Sequence, residues 1–198
     1  MTSRAYDISE MNMHRRRLMA LALLAVLGAA TSATVLAKSG PLGPGLKEIR
    51  SAVARYHDYA NAAFDGYSTA GEPCVASPAG TMGFHAVNPG LLAAGSVDAL
   101  RPPILLYVPR ADGSLKLVAV EYWNIALANT DNGPAPWSGA EAPPLGFFNP
   151  APSVLGQTFD GPMAGHNPQM PWHYDLHAWV VENNPAGTFS QWNPSISC

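Results

Sequence analysis

Apolar residues recur along this chain in two periods. Leu46, Ile49, Val53, Tyr56, Ala60 and Ala63 stand three or four positions apart, the spacing that gives a helix one buried face, and they predict an amphipathic helix over 45–64. Gly40, Pro41, Gly43, Pro44 and Gly45 mark its start and Gly66 its stop. Further on the period falls to two. Met82, Phe84 and Ala86 alternate with Gly83, His85 and Val87, which predicts a strand over 80–87 with His85 on the face opposite Met82 and Phe84. Asn88-Pro89 ends it, and 91–100 supplies a short helical turn before Arg101-Pro102-Pro103 extends the backbone again.

The clearest strand pair runs over 104–108 and 115–123, joined at Ala111-Asp112-Gly113-Ser114, where Asp-Gly supplies the positive φ of a hairpin turn. In the second of these strands Leu117 and Ala119 share the face of Glu121, and Val118 and Val120 take the other. Both faces are apolar, so the strand is predicted to be covered on both sides and Glu121 to be buried. A buried carboxylate must be paired, protonated or bound to a cation.

Periodicity then dissolves over 124–152 into Pro, Gly, Asn and Ala with Trp137, Phe147 and Phe148 among them. Two readings of this long loop stand level, a functional loop and one that packs over the sheet. The stretch 156–179 holds three of the six histidines and ends in clean alternation. His173, Asp175, His177 and Trp179 fall on one face of a predicted strand, and Tyr174, Leu176, Ala178 and Val180 on the other. Five Asn-Pro steps, at Asn88, Asn149, Asn167, Asn184 and Asn193, read as turn punctuation, since Asn bonds its own downstream backbone and Pro forbids helix.

Composition narrows the class. With 47% hydrophobic residues in 198, the chain can bury one core, and its 19 prolines and 18 glycines speak for turns and long ordered loops rather than a helix bundle. Arg15, Arg16 and Arg17 precede an apolar run over 18–30 and then small residues, the three-part pattern of a secretory signal with cleavage after Ala37. Residues 1–37 are therefore expected to be a signal peptide and 38–198 a single globular domain, exported to the periplasm or beyond the cell. Losing residues 1–37 removes four of eleven basic and two of fourteen acidic side chains, leaving 7 against 12 and a formal charge of -5. A mildly acidic domain argues against nucleic acid and against anionic lipid as partners, which leaves a small molecule, an ion or a protein. Cys74 and Cys198 are the only cysteines, and an even count in an oxidising compartment predicts one disulfide.

The chemistry the chain offers is histidine and carboxylate. No G-x-S-x-G elbow, glycine-rich phosphate loop or CxxC pair is present. His85, Glu121, His173, Asp175 and His177 form the candidate ligand set for a divalent metal, Zn²⁺, Mn²⁺, Fe²⁺ or Cu²⁺. On a strand His173 and His177 are about 13 Å apart along the backbone, too far to clasp one ion, so that partners must come from elsewhere. Against this stands a plain structural reading, in which Asp175 steadies its neighbouring histidines, Glu121 pairs with Arg101 or Lys116, and His166 is a turn residue or a surface contact.

The strings MGFHAVNP at 82–89, LLYVPRADGSLKLVAVEY at 105–122, FDGPMAGH at 159–166 and HYDLHAWVVENNPAGTFSQWNP at 173–194, with Cys74-Val75, resemble a family of exported bacterial proteins of unknown function. That resemblance implies an exported domain whose motifs include His85, Glu121, His173, His177 and Cys198. At Thr81 the chain departs from the family pattern, which has a second glycine there.

Together these readings predict an α+β domain, one N-terminal helix on a mainly antiparallel and possibly barrel-like sheet with long ordered loops. The expected function is small-ligand or divalent-metal binding. The alternative is a non-catalytic exported structural or protein-interaction domain whose histidines and carboxylates are internal pairs.

Overall fold

The period-two stretches become neighbours in one sheet in the computed structural model, which describes residues 45–166 and 170–198. The predicted signal at 1–37 and the Asn167-Pro168 step lie outside these residues. Strands β1 (Val75–Ser77), β2 (Gly80–Val87), β3 (Ile104–Pro109), β4 (Leu115–Ile125), β9 (Asp160–Met163) and β10 (His173–Ala178) form a curled sheet in the order β1-β2-β3-β4-β10-β9, every pairing antiparallel. Two small two-stranded pairs flank it, β5 (Leu127–Ala128) with β6 (Ala135–Pro136), and β7 (Ser153–Val154) with β8 (Gln157–Thr158). The architecture is α+β with few helices, as the sequence predicts.

The N-terminal helix is broken in two. Helix α1 (Leu46–Val53) passes through a 3₁₀ turn (Ala54–His57) and restarts as α2 (Tyr59–Phe64). The break lies at Asp58, whose backbone is extended (φ -93°, ψ 112°) and whose side chain accepts from the Ala60 amide, so that an N-cap wins over helix continuation. The restart changes the phase. Ile49 and Val53 are buried as expected, but beyond the break Ala62 is buried and Ala60 and Ala63 are exposed. Helix α3 (Pro89–Ala93) takes Asn88 as its cap, the side chain accepting from the Leu91 amide.

The sheet separates two apolar layers. On the helix side Ile49, Val53 and Ala62 pack with Leu105, Tyr107, Val120, Tyr122, Leu176 and Ala178. Four tyrosines on this side tie loops to the core through their hydroxyls, Tyr67 to Pro102 O, Tyr107 to Tyr56 O, Tyr122 to Ala99 O and Tyr174 to Asn149 O. Each buries an aromatic body while its polar tip keeps a partner. On the other side Ile104, Leu106, Val108, Val118, Ala119 and Trp179 form a smaller cluster, against which Val87, Trp123 and Ile196 pack. A bulge in β4, where Tyr107 faces Leu117 and Leu106 faces Ala119, puts Leu117 on the helix side and Val118 on this one, the reverse of the simple alternation expected for these two residues.

The C-terminal segment closes this second face. Asn193 exchanges backbone bonds with Thr81, Trp179 Nε1 donates to Ser190 O, and Cys198 is bonded to Cys74 with the two Cα atoms 5.8 Å apart. A disulfide points to an oxidising, exported environment. The long 124–152 stretch is ordered by packing: Phe147 stands 5.3 Å from the Trp172 ring, Trp172 Nε1 donates to Gly139 O, and the Asn149 side chain bonds Leu127 N and Ile125 O. No helix among the described residues is long and apolar enough to cross a membrane.

Candidate functional site

Alternation decides which side chains meet on the second face. Glu121 stands on β4 opposite His177 of β10 and Ile104 of β3, while His85 of β2 pairs with Leu106. Trp123 is opposite Asp175, and His173 opposite Ile125. All five predicted site residues therefore share one face, and all are buried, with His173, Asp175 and His177 fully so. His85 and Glu121 come from strands on either side of β3, whose Ile104 and Leu106 stand between them on the same face.

Three of the five converge. His85, Glu121 and His177 each present one ligand-type atom, all within 4.8 Å of one another. His85 Nε2 lies 3.2 Å and His177 Nε2 3.8 Å from Glu121 Oε2. Asp175 stands beside this triangle, with Oδ1 3.8 Å from His177 Nδ1 and Oδ2 3.8 Å from His173 Nε2. His173 is further along, its ring stacked on Trp123 at 5.6 Å and its Nδ1 3.0 Å from Pro171 O. That contact makes Nδ1 the protonated nitrogen and leaves Nε2 as a bare lone pair. The separation of His173 from His177 expected from strand geometry is thus present. Lys116 pairs with Glu182, and Glu121 faces imidazoles rather than a lysine or arginine.

Polar atoms gather here without partners. His85 Nε2, Glu121 Oε2, Trp123 Nε1, His173 Nε2, both Asp175 oxygens and both His177 nitrogens are buried and make no hydrogen bond. The His85 to Glu121 approach is short but poorly aimed. Buried polar groups are almost always satisfied, since each orphan costs about 1–3 kcal/mol. Eight stand in one place, on six residues of one sheet face; Trp123 Nε1 can only donate, while the bare imidazole nitrogens and carboxylate oxygens among the others offer lone pairs to a cation.

The charges divide the cluster. Burial alone would raise the Glu121 carboxyl, but the His85 and His177 imidazoles hold it down at about 2, so it is ionised. His177 is pushed down to about 4, mainly by burial, and is neutral at pH 7. An ionised carboxylate beside a neutral imidazole is the protonation state in which these groups bind a cation. Burial works against a charged His85, and Glu121 outweighs it, raising that imidazole above its ordinary value, so that a cation would have to displace its proton. Burial, with help from Glu121 and Asp160, lifts Asp175 to about 8.

One further side chain was not marked by the sequence. His166 is exposed on the chain after β9, yet its ring lies 5.9 Å from that of His85 and 6.2 Å from that of His173. Next to it Gly165 is closely packed, since a Cβ there would meet Met170 O at 2.3 Å. Surface hollows of about 320 and 270 Å³, both lined by Asn88, Leu91 and Arg101, share no residue with the cluster. Compared with known protein families, with curated proteins and with solved structures, the chain gives no match.

Proposed function

We propose that this protein is an exported domain, acting in the periplasm or outside the cell, that binds one divalent transition-metal ion through His85, Glu121 and His177. The observation that carries the reading is the convergence of His85, Glu121 and His177 within 4.8 Å, with Glu121 Oε2 and a nitrogen of each histidine buried and making no hydrogen bond. Two imidazoles and a carboxylate suit Zn²⁺, Mn²⁺, Fe²⁺ or Cu²⁺ and offer little to Mg²⁺ or Ca²⁺, which prefer oxygen. An ion held there would act as a Lewis acid on whatever oxygen or nitrogen completes its shell. Asp175, next to the free Nδ1 of His177, is placed to orient that ring from behind, a common arrangement around metal-binding histidines.

The 3.2 Å approach of His85 to Glu121 also supports a second reading, in which the cluster is an internal ion pair of a structural or protein-binding domain. Metal analysis of chain purified without a histidine tag separates the two. The expected result is about one equivalent of a transition metal, or a rise in melting temperature on adding Zn²⁺, Mn²⁺ or Cu²⁺ to chelator-treated protein. Neither stoichiometric metal nor any thermal shift would leave the internal pair as the reading.

A further inference from the structure

The three buried groups sit on three strands of one sheet, so their backbone positions are fixed, and they supply only three ligands. Structural zinc sites close their shell with a fourth protein ligand, and catalytic ones leave that position open. What stands nearest the open side decides which kind this is. His166 is exposed, and its ring lies against those of His85 and His173.

Reach can be judged from ring separations. An imidazole bound at about 2.0–2.1 Å keeps its centroid roughly 3 Å from the ion, so two rings on one ion stand on the order of 4.5–6.4 Å apart. The His85 and His177 rings are 6.5 Å apart, and those of His85 and His166 are 5.9 Å apart. The His166 ring therefore stands at a separation from His85 that two imidazoles on one ion can have. It stands outside the 4.8 Å group of ligand atoms, and an exposed side chain is free to turn about its own bonds towards that group.

We propose that His166 is the fourth ligand of the ion held by His85, Glu121 and His177, and that it is the exchangeable one, admitting and releasing the ion from solvent. The inference rests on the metal reading above. It makes the site a closed shell of three imidazoles and one carboxylate, the kind that holds a Zn²⁺ or Cu²⁺ ion rather than one that keeps a position open for substrate. Three ligands are held in the sheet and buried, and the fourth is an exposed side chain outside it, so loss of the fourth is the first step of release.

The test uses Co²⁺ as the probe, because its visible absorption is intense in a four-coordinate site and weak when water raises the coordination number. Chelator-treated full chain without a tag is titrated with Co²⁺ and then with Zn²⁺ in competition, for wild type, His166→Ala, His177→Ala and His57→Ala, the last an exposed histidine on the 3₁₀ turn. Expected for His166→Ala is an unchanged melting temperature without metal and one equivalent still bound. With these go a weakened Co²⁺ band, an affinity lower by on the order of 100-fold, and faster transfer of the ion to a chelator. His57→Ala should match wild type, and His177→Ala should lose stoichiometric binding. If wild type binds one equivalent and His166→Ala keeps its affinity, band and release rate, the fourth-ligand inference is overturned while the metal reading stands. If wild type binds none, both fall.

Discussion

Glu121 stands directly opposite His177 across the β4–β10 pairing, with Oε2 3.8 Å from Nε2, and the same oxygen is 3.2 Å from His85 Nε2. One carboxylate thus acts on two imidazoles, and on His85 it outweighs burial. Replacing it by the uncharged Glu121→Gln removes the largest influence that raises His85 and leaves burial opposed only by the lesser effects of Glu72 and the Gly83 backbone. The His85 pKa should then fall below 6.5, followed by NMR titration of the ring protons of metal-free protein, and metal affinity should drop by on the order of 100-fold or more. An unmoved His85 would mean that the pair is not coupled.

The same charges give the metal-free protein a stability that depends on pH. Asp175 is lifted from 3.8 to about 8, so between those values the folded chain binds more protons than the unfolded, and stability falls as pH rises. His177 is pushed from 6.5 to about 4 and has the opposite sign, its contribution present above 6.5 and lost as pH falls through that window. The two oppose each other below pH 6.5. From 6.5 to 8 Asp175 acts without that opposition, joined with the same sign by the raised His85. Chelator-treated wild type should therefore lose melting temperature from pH 6.5 to 8. Asp175→Asn should flatten that slope and melt higher than wild type at pH 8.

Gly83 couples backbone to site. Its φ is +103°, and a Cβ there would meet Tyr107 O at 2.4 Å, so Gly83→Ala must both strain its own backbone and push β2 from β3. A loss of about 2 kcal/mol or more is expected in denaturant unfolding. His85, two residues on, moves with the strand. Metal affinity should fall too, whereas a variant destabilised only on the helix side, such as Val53→Ala, should bind as wild type does.

Reduction of the Cys74–Cys198 bond releases a loop with a sequence separation of 124. In the chain-entropy treatment this removes about 4–5 kcal/mol, or roughly 10 °C in melting temperature for a domain of this size. Thermal melts with and without reductant measure it. Unchanged melting on full reduction, verified by thiol titration, would contradict a stabilising role.

What the sequence reveals follows local physics. Periodicity alone places His85, Glu121, Asp175 and His177, because one-residue alternation fixes a face once the strand is recognised. It places the hairpin at Asp112-Gly113 as well, where Gly113 adopts φ +82°. The helix break at Asp58 is hidden because the apolar spacing runs through it, and only the competition between cap and helix shows otherwise. Strand β9 is hidden for a different reason. Pro162 reads as a breaker, but β9 is an edge strand, where a missing amide hydrogen costs no ladder bond. His166 belongs to a third kind, since its neighbours come from other strands and no spacing within its own segment announces them.

The exposed turn between β3 and β4 has a consequence far from itself. Neighbouring residues on β4 serve opposite faces, Val120 and Tyr122 the oily helix side and Glu121 the histidine side. Between that turn, which Arg110, Gly113 and Ser114 close by backbone bonds, and Glu121 the register shifts once, Tyr107 facing Leu117 and Leu106 facing Ala119, so that Val118 is an extra residue. Were that extra residue lost, the strand beyond it would change sides, and the carboxylate would be driven into hydrocarbon while tyrosine faced the histidines. Turn and bulge together are therefore the ruler by which the buried centre is measured, and a one-residue length change in either would be read as a change of chemistry.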